Sequence, residues 1–203
     1  MKCMKKVGIM GGTFNPIHNG HLFLAEHAFE QAGLDYVLFM PTMNPPHKAG
    51  IDIASAEHRI NMVKSGIKSN PHFVISDIEL NRPGITYTSD TLKALKENEP
   101  DTDYYFIVGA DSLMMMDAWM EPQTVFRLST IIVGGRGQFS YEQLDEQIRH
   151  LENTYDGKII LLDMPHMDIS SENIRDRVNK GKSIRYYVPD EVASYINMNG
   201  LYI

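Results

Sequence analysis

Two histidines, His18 and His21, stand three positions apart in the stretch Gly11-Gly12-Thr13-Phe14-Asn15-Pro16-Ile17-His18-Asn19-Gly20-His21-Leu22. Leu22, Ala25, Phe29 and Ala32 then follow at the spacing of one helix face, with Gly33 as a stop. The spacing predicts a helix over Asn19 to Ala32, and the two imidazoles share a face across its first turn. Each ring can donate an N–H to a phosphate oxygen. A helix start adds unpaired backbone N–H groups and the positive end of the helix dipole. Gly11 and Gly12, just before, let the backbone approach a ligand closely. These residue types in this order describe a phosphate site.

Two familiar phosphate loops are excluded. A Walker A loop needs Gly-x4-Gly-Lys-[Ser/Thr]. The chain's Gly181-Lys182-Ser183 would need a glycine where Asp176 stands. The dinucleotide fingerprint Gly-x-Gly-x-x-Gly fails because Met10 lies two positions after Gly8, and Tyr36 to Met40 ends without the acid that would hold a ribose. A pair of histidines can also bind metal. A catalytic zinc site, however, takes three protein ligands as a rule, His-Glu-x-x-His is absent, and Glu26 lies more than a turn away. Two capping or surface histidines would be the plain alternative; the neighbouring Gly-Gly-Thr-Phe favours phosphate.

The elements that must position these groups alternate between strand and helix. Apolar runs at Val7 to Met10, Tyr36 to Met40, Phe73 to Ser76, Tyr104 to Val108, Thr130 to Val133 and Lys158 to Leu162 read as strands. Helices are expected at Asn19 to Ala32, at Ser55 to Lys68 with Ile60, Val63 and Ile67 inside, and at Ser89 to Glu97. One more follows the turn Gly109-Ala110-Asp111-Ser112. Another begins at the capping box Ser140-Tyr141-Glu142-Gln143. Ser170 to Lys180 forms a helix closed by Gly181, and Pro189 opens the last one. Strands joined by helices of this length imply right-handed crossovers, an open parallel α/β sheet, and a ligand at the carboxyl ends of the strands. The loops at Gly11, Pro41, Gly109 and Met164 are then expected to gather around one site.

The chain has 203 residues, and at ~150 residues per domain it reads as a single domain over 1–203. Lys plus Arg number 19 against 26 Asp plus Glu, for a net charge of −7. That balance speaks against sequence-independent nucleic-acid binding, which needs a basic face. Arg175, Arg177, Lys180, Lys182 and Arg185 do cluster, but read as one phosphate-facing arginine on a solvated helix face. A single cysteine, Cys3, forbids an intrachain disulfide and fits a reducing compartment. No apolar run approaches the roughly 20 residues of a membrane span, and the apolar stretch after the lysines of Met1 to Lys6 is too short for a signal core. A cytoplasmic protein without membrane partners is expected.

Near the other end stands Ile169-Ser170-Ser171-Glu172-Asn173-Ile174-Arg175. With Gly-Thr-Phe-Asn-Pro-x-His-x-Gly-His-Leu it resembles the paired signatures of the nucleotidylyltransferase superfamily. Four middle stretches narrow the resemblance: Asn44-Pro45-Pro46-His47-Lys48, Gly84-Ile85-Thr86-Tyr87-Thr88-Ser89-Asp90-Thr91-Leu92, Phe106-Ile107-Val108-Gly109-Ala110-Asp111-Ser112, and Tyr186-Tyr187-Val188-Pro189. With Trp119, they are similar to the bacterial nicotinate mononucleotide adenylyltransferase branch. The resemblance covers nearly the whole chain. It implies a Rossmann-like open parallel sheet with helices on both faces, and a small C-terminal helical part, 165–203, carrying the second signature. Asn15 stands where many relatives carry Asp, and Glu172 where a small hydroxyl residue is usual.

The same resemblance implies a reaction. The phosphate of nicotinate mononucleotide attacks the α-phosphorus of ATP, pyrophosphate leaves, and nicotinate adenine dinucleotide forms. Such chemistry asks mainly for two anions held in line and their growing charge stabilised. His18, His21 and Arg175 are the expected catalytic groups, with the histidines counted among the cationic ones. ATP is expected on Gly11, Gly12, Thr13, Phe14, His18, His21, Gly109, Asp111, Ile169, Ser170, Ser171 and Arg175. Asp111 reads equally well as a cap for the helix after it. Nicotinate mononucleotide is expected on Lys48, Thr86, Tyr87, Thr88, Asp111 and Trp119. Lys48 is otherwise a solvated lysine, His47 shares its assignment more weakly, and Trp119 is either a core residue or a stacking platform. Mg²⁺ is expected to bridge the triphosphate through phosphate and water rather than through a protein cage. The partners are then small molecules, with a homo-oligomer open. Rival readings are an enzyme acting on nicotinamide mononucleotide or another phosphorylated acceptor, and a nucleotide-binding module without catalysis. The loop Pro41 to Gly50 is the candidate lid.

Overall fold

The computed structural model describes residues 4–42, 53–79, 86–135 and 139–203. The strands are β1 (Lys5–Gly12), β2 (Tyr36–Pro41), β3 (Phe73–Ile75), β4 (Thr102–Gly109), β5 (Ser129–Gly134) and β6 (Ile159–Leu161). The helices are α1 (Asn19–Ala32), α2 (Ala56–Ile67), α3 (Thr88–Asn98), α4 (Ala110–Met114), α5 (Pro122–Leu128), α6 (Tyr141–Tyr155), α7 (Ser171–Asn179) and α8 (Asp190–Met198), with a 3-10 turn at Met116–Ala118. The strands form one six-stranded sheet in the order β3-β2-β1-β4-β5-β6. Each neighbouring pair is parallel, as the alternation of strand and helix requires.

Side chains of successive strand residues point to opposite faces, and the core divides accordingly. Val37, Phe39, Ile107 and Ile132 face one layer, where they meet Ala25 and Ala28 of α1, Met62 and Val63 of α2, Ile174 of α7, and Val192 and Ile196 of α8. Val7, Ile9, Phe106, Ile131 and Val133 face the other. There they meet Leu92 and Leu95 of α3, Leu113 of α4, Val125 and Phe126 of α5, and Leu144 and Leu151 of α6. The helices therefore lie on both faces of the sheet. Strand order proceeds outward from β1 through β2 to β3 on one side, and from β4 through β5 to β6 on the other. In an open α/β sheet that reversal leaves a crevice at the carboxyl ends of the two central strands. The β1–β4 register pairs Ile9 with Phe106, so its continuation sets Gly12 level with Gly109 at the mouth of the crevice.

Several expectations shift. The single helix expected after Gly109 is divided into α4, the 3-10 turn and α5. Glu121 takes a left-handed φ of 50°, and Pro122 opens α5; a proline ring cannot extend the helix that precedes it. Pro189 is the cap rather than the first residue of α8. On α2 the buried face is Arg59, Met62, Val63, Gly66 and Ile67, while Ile60, expected inside, is only half-buried. The stripe is rotated by one residue, and a guanidinium occupies the place expected for an isoleucine.

The capping box of α6 is present. Gln143 N–H donates to Ser140 Oγ at 3.3 Å, and Ser140 N–H donates to Gln143 Oε1 at 2.9 Å. Ser140→Ala is expected to cost about 1 kcal/mol of folding stability. A lower urea midpoint at unchanged slope is the signature to measure; an unchanged midpoint would show that α6 does not depend on its cap.

Candidate active site

The loop after β1 turns its carbonyls into the protein. Gly12 C=O accepts from Thr42 N–H at 2.9 Å. Thr13 C=O accepts from Arg59 Nη1 at 2.8 Å, and Asn15 C=O from Arg175 Nη1 at 2.9 Å. Pro16 C=O accepts from Ser171 Oγ at 2.8 Å. Asn15 itself is buried, its Oδ1 taking the Ala54 N–H at 3.1 Å and the Tyr202 hydroxyl at 2.8 Å. Phe14 lies at a left-handed φ of 48° with its ring in the core against Phe39, so what Phe14 can offer an anion is its N–H. A Cβ on Gly12 would touch the Phe14 ring at 3.4 Å.

The two histidines meet at the start of α1. His18 is its N-cap residue. The rings stack at 3.6 Å between centroids, 26° apart, and Phe14 presents an edge to His21 at 5.1 Å. His18 N–H donates to His21 Nδ1 at 3.3 Å. That bond makes Nδ1 the acceptor and leaves the proton of a neutral His21 on Nε2. Gly20 permits the arrangement, since a Cβ there would come within 3.0 Å of His18 Nδ1 and 3.5 Å of Ile169 C=O. The two signatures, far apart in sequence, touch at this point.

In the second signature the hydroxyls are already engaged. Ser170 Oγ caps α7 by accepting Asn173 N–H at 3.1 Å, and Ser171 Oγ is bound to Pro16 as above. Ile169 is half-buried against the core, and Glu172 is exposed in the first turn of α7. Arg175 spends one N–H on Asn15; a guanidinium has five.

At the end of β4, a Cβ on Gly109 would meet nothing within 4 Å, so the backbone there faces open space. Gly109 is the N-cap of α4, and Asp111, an exposed residue of its first turn, makes no capping bond. The capping reading of Asp111 is thereby corrected. Trp119 is half-buried and stands edge-on to Phe106 at 5.9 Å. Phe106 in turn lies 3.4 Å from where a Gly11 Cβ would be, so the indole sits one ring away from the glycine loop. The turn before Trp119 is anchored by Asp117, whose carboxylate accepts from Tyr155 Oη at 2.9 Å and Gln147 Nε2 at 3.3 Å, with His150 Nε2 at 3.2 Å. Partial burial works against charge there, yet these α6 bonds hold the Asp117 carboxyl below its ordinary range.

Tyr87 is the N-cap of α3, and Thr88 its first residue. Thr86 and Ser89 are buried, and among the described residues their hydroxyl oxygens have no hydrogen-bond partner. Buried hydroxyls at a helix start, where backbone N–H groups also point, suit an anionic ligand group. Lys48 and His47 lie outside the described residues, as does most of the candidate lid. Among the described residues, no group of three or more His, Cys, Asp or Glu is placed to hold a metal ion, and no helix is long and apolar enough to cross a membrane.

Arg59, Gly20, Ser89, Tyr202 and Asp117 were missed as functional residues by sequence reasoning. A signal existed for Arg59, a cation four residues before Val63 on an apolar stripe. Gly20 was visible only as a letter of the motif, because its reason is the His18 ring beside it. Tyr202 and Asp117 depend on distant partners and Ser89 on its burial, none of which leaves a local signal.

Comparison with known proteins agrees with this geometry. Residues 9–177 match the cytidylyltransferase-like family. A protein of Lachnoclostridium phytofermentans, described as a probable nicotinate-nucleotide adenylyltransferase, is 46% identical over 200 residues, covering 98% of this chain and 100% of that one. One of Clostridium novyi with the same description is 43% identical over 199 residues, again covering 98% and 100%. Among solved structures, the nicotinic acid mononucleotide adenylyltransferase of Plasmodium falciparum complexed with NaAD superposes with a TM-score of 0.81, over 98% of this chain and 97% of that one, at 23% identity. That likeness carries the fold.

The sequence counted His18 among cations, and the structure corrects this. Burial pushes its pKa from 6.5 down to about 4, so the ring is neutral near pH 7 and acts as a directed donor or acceptor. The sign of the linkage follows. Above pH 6.5 the ring is neutral in both folded and unfolded chains. As pH falls from 6.5 towards 4, the unfolded chain binds a proton that the folded one refuses, and stability is lost. The loss should reach roughly 3 kcal/mol at the lower end. Urea titrations across this range should show it in the parent, and a flatter profile in His18→Gln. Identical profiles would mean that His18 titrates normally in the fold.

Proposed function

The chain belongs to the nicotinate-nucleotide adenylyltransferases of the cytidylyltransferase-like family, and on that premise we propose how its residues divide the work. The enzyme transfers the adenylyl group of ATP to nicotinate mononucleotide. A phosphate oxygen of the mononucleotide forms a new bond to the α-phosphorus. The bond from that phosphorus to the oxygen bridging to the β-phosphate breaks, and pyrophosphate carries the electron pair away. The product is nicotinate adenine dinucleotide, a step in NAD biosynthesis that we place in the cytoplasm.

The observation that carries the assignment is the stacked His18–His21 pair at the start of α1, beside a loop whose carbonyls are bonded inward. The loop's N–H groups, the α1 N-terminus and His21 Nε2–H hold the ATP phosphates around the reacting phosphorus. Preorganised donors of this kind stabilise charge that grows in the transition state. The remaining donors of Arg175, the Ser170 O–H and the N–H groups that begin α7 hold the β- and γ-phosphates. Ser171 serves indirectly, by fixing Pro16. A divalent cation enters as part of the nucleotide substrate. We take it to be Mg²⁺, held by phosphate oxygens and water.

The acceptor's carboxylate fits the start of α3, where the Thr86 and Ser89 hydroxyls are without partners among the described residues and Tyr87 and Thr88 begin the helix. An amide in the same place would set its NH₂ against those donors. Trp119 is assigned to the pyridine ring as a flat neighbour, Asp111 to ribose hydroxyls, and Lys48 to the acceptor phosphate.

Pyrophosphate release from ATP with Mg²⁺ tests the reaction. Nicotinate mononucleotide and nicotinamide mononucleotide are compared at equal concentration, and fast release is expected with the acid alone. Release with the amide at a similar rate would overturn the pocket assignment, and release with neither would overturn the acceptor. His21→Ala should fold and lose about 10²–10³ in turnover; near-normal turnover would remove His21 from the mechanism.

A further inference from the structure

Arg59 belongs to none of the ligand subsites above, yet it is among the most deeply buried large side chains, 2% exposed. It projects from α2, which α8 holds in place. Tyr195 Oη of α8 meets Asn61 Nδ2 at 3.1 Å and His58 Nδ1 at 3.0 Å, and a Cβ on Gly66 would already be 3.3 Å from Val192. From that seat the guanidinium reaches three separate backbone segments. Nη1 donates to Thr13 C=O at 2.8 Å and to Thr42 C=O at 2.7 Å, and Nε donates to Ala54 C=O at 3.1 Å. Thr13 lies on the phosphate loop. Thr42 follows β2, and Ala54 precedes the Ser55 cap of α2. A second link runs in parallel, since Ala54 N–H donates to Asn15 Oδ1.

We infer that Arg59 is a positioning residue for adenylyl transfer. Its planar fork fixes the phosphate loop at Thr13 relative to the chain at Thr42 and Ala54, so that the ATP phosphates are received by a loop already in its working shape. The inference rests on the adenylyltransferase reading for its kinetic consequence, but not for its effect on ATP binding. A loop that aims N–H groups at an anion must direct its C=O groups elsewhere, and each buried C=O needs a donor. Arg59 supplies that donor to the phosphate loop with the same nitrogen that serves Thr42, so the two segments cannot move apart without breaking a charge-assisted bond. A lysine would keep the charge and lose the fork. Misplacing a reacting group by about 1 Å can cost 10²-fold in rate.

Arg59→Lys and Arg59→Gln in the full chain provide the test, read as ATP affinity without acceptor and as kcat and KM for both substrates. Assays are run well below each variant's melting temperature, with rates referred to the folded fraction measured by circular dichroism. Both variants should bind ATP at least about tenfold more weakly and lose about a hundredfold in kcat/KM for ATP. Lys should rescue little, because the fork and not the charge is what is used. ATP affinity and kcat within twofold of the parent in folded variants would overturn the assignment, as would full rescue by Lys. A parent that binds ATP but releases no pyrophosphate with nicotinate mononucleotide would instead fault the adenylyltransferase reading, leaving the affinity comparison to judge Arg59. Should neither variant fold, the parent protein supplies the readout. Hydrogen exchange at the Arg59 Nε–H, followed by NMR, should slow on ATP binding, and unchanged exchange would overturn the inference.

Discussion

An anion-binding loop made of backbone has one unavoidable constraint. Peptide N–H and C=O groups come in equal supply, so every N–H aimed at a phosphate leaves a C=O aimed away, and a buried C=O without a donor is costly. Much of this fold can be understood as the answer to that constraint at residues 12–16. Thr42 N–H comes from the end of β2, Arg59 from α2, and Arg175 with Ser171 from α7. The donors originate on different elements, one of them near the far end of the chain. The phosphate loop therefore takes its shape only when α2 and α7 have packed against the same face of the sheet. This also explains why the Ile-Ser-Ser signature accompanies the glycine loop. Its Ser171 and Arg175 hold the loop's framework through Pro16 and Asn15.

How far the sequence revealed this varies by scale. The strands, their parallel direction, the crevice, the α1 start at Asn19 and the caps of α6 and α7 at Ser140 and Ser170 follow from local pattern, because period, capping residue and turn chemistry are written within a few positions; the sequence counted Ser170 inside the helix that it caps. That His18 and His21 would meet across the first turn of α1 was legible for the same reason. Its protonation was not. Burial pushes His18 down to about 4, with the His21 ring stacked on it and Gly20 against it, and burial is a property of the assembled molecule. Arg59 was overlooked because a charged residue is expected on the solvent side of an amphipathic helix, and here it is on the inner side. Asp111 looked like a cap because Asp often is one; the structure gives the capping position to Gly109. The α4–α5 break was signalled by Pro122 but masked by the Met-rich run before it.

The two substitutions at signature positions have different meanings in three dimensions. Asn15 is buried and receives bonds from Ala54 N–H and the Tyr202 hydroxyl. A neutral amide oxygen accepts both, without burying a carboxylate beneath the loop. Glu172 is exposed in the first turn of α7, where a negative charge suits the helix dipole. Neither position removes a donor from the phosphate loop, so the departures leave its hydrogen-bond scheme intact.

Charge and direction are thus supplied by different residues. The neutral His18 offers a contact that does not depend on taking up a proton, and His21 is oriented by the His18 N–H bond to its Nδ1. Permanent positive charge comes from guanidiniums, which stay protonated even when buried. Arg175 stands half-exposed at the phosphate end of α7, and Arg59 lies beneath the loop. Arg59 in particular holds its charge beneath the loop while its Nε–H and Nη1–H groups are directed to the carbonyls of Ala54, Thr13 and Thr42. A chain of net charge −7 can in this way receive a polyanion at one crevice. The local potential is set by a few fixed groups within the short range over which salt leaves electrostatics unscreened, and the surface carboxylates elsewhere have little influence on it.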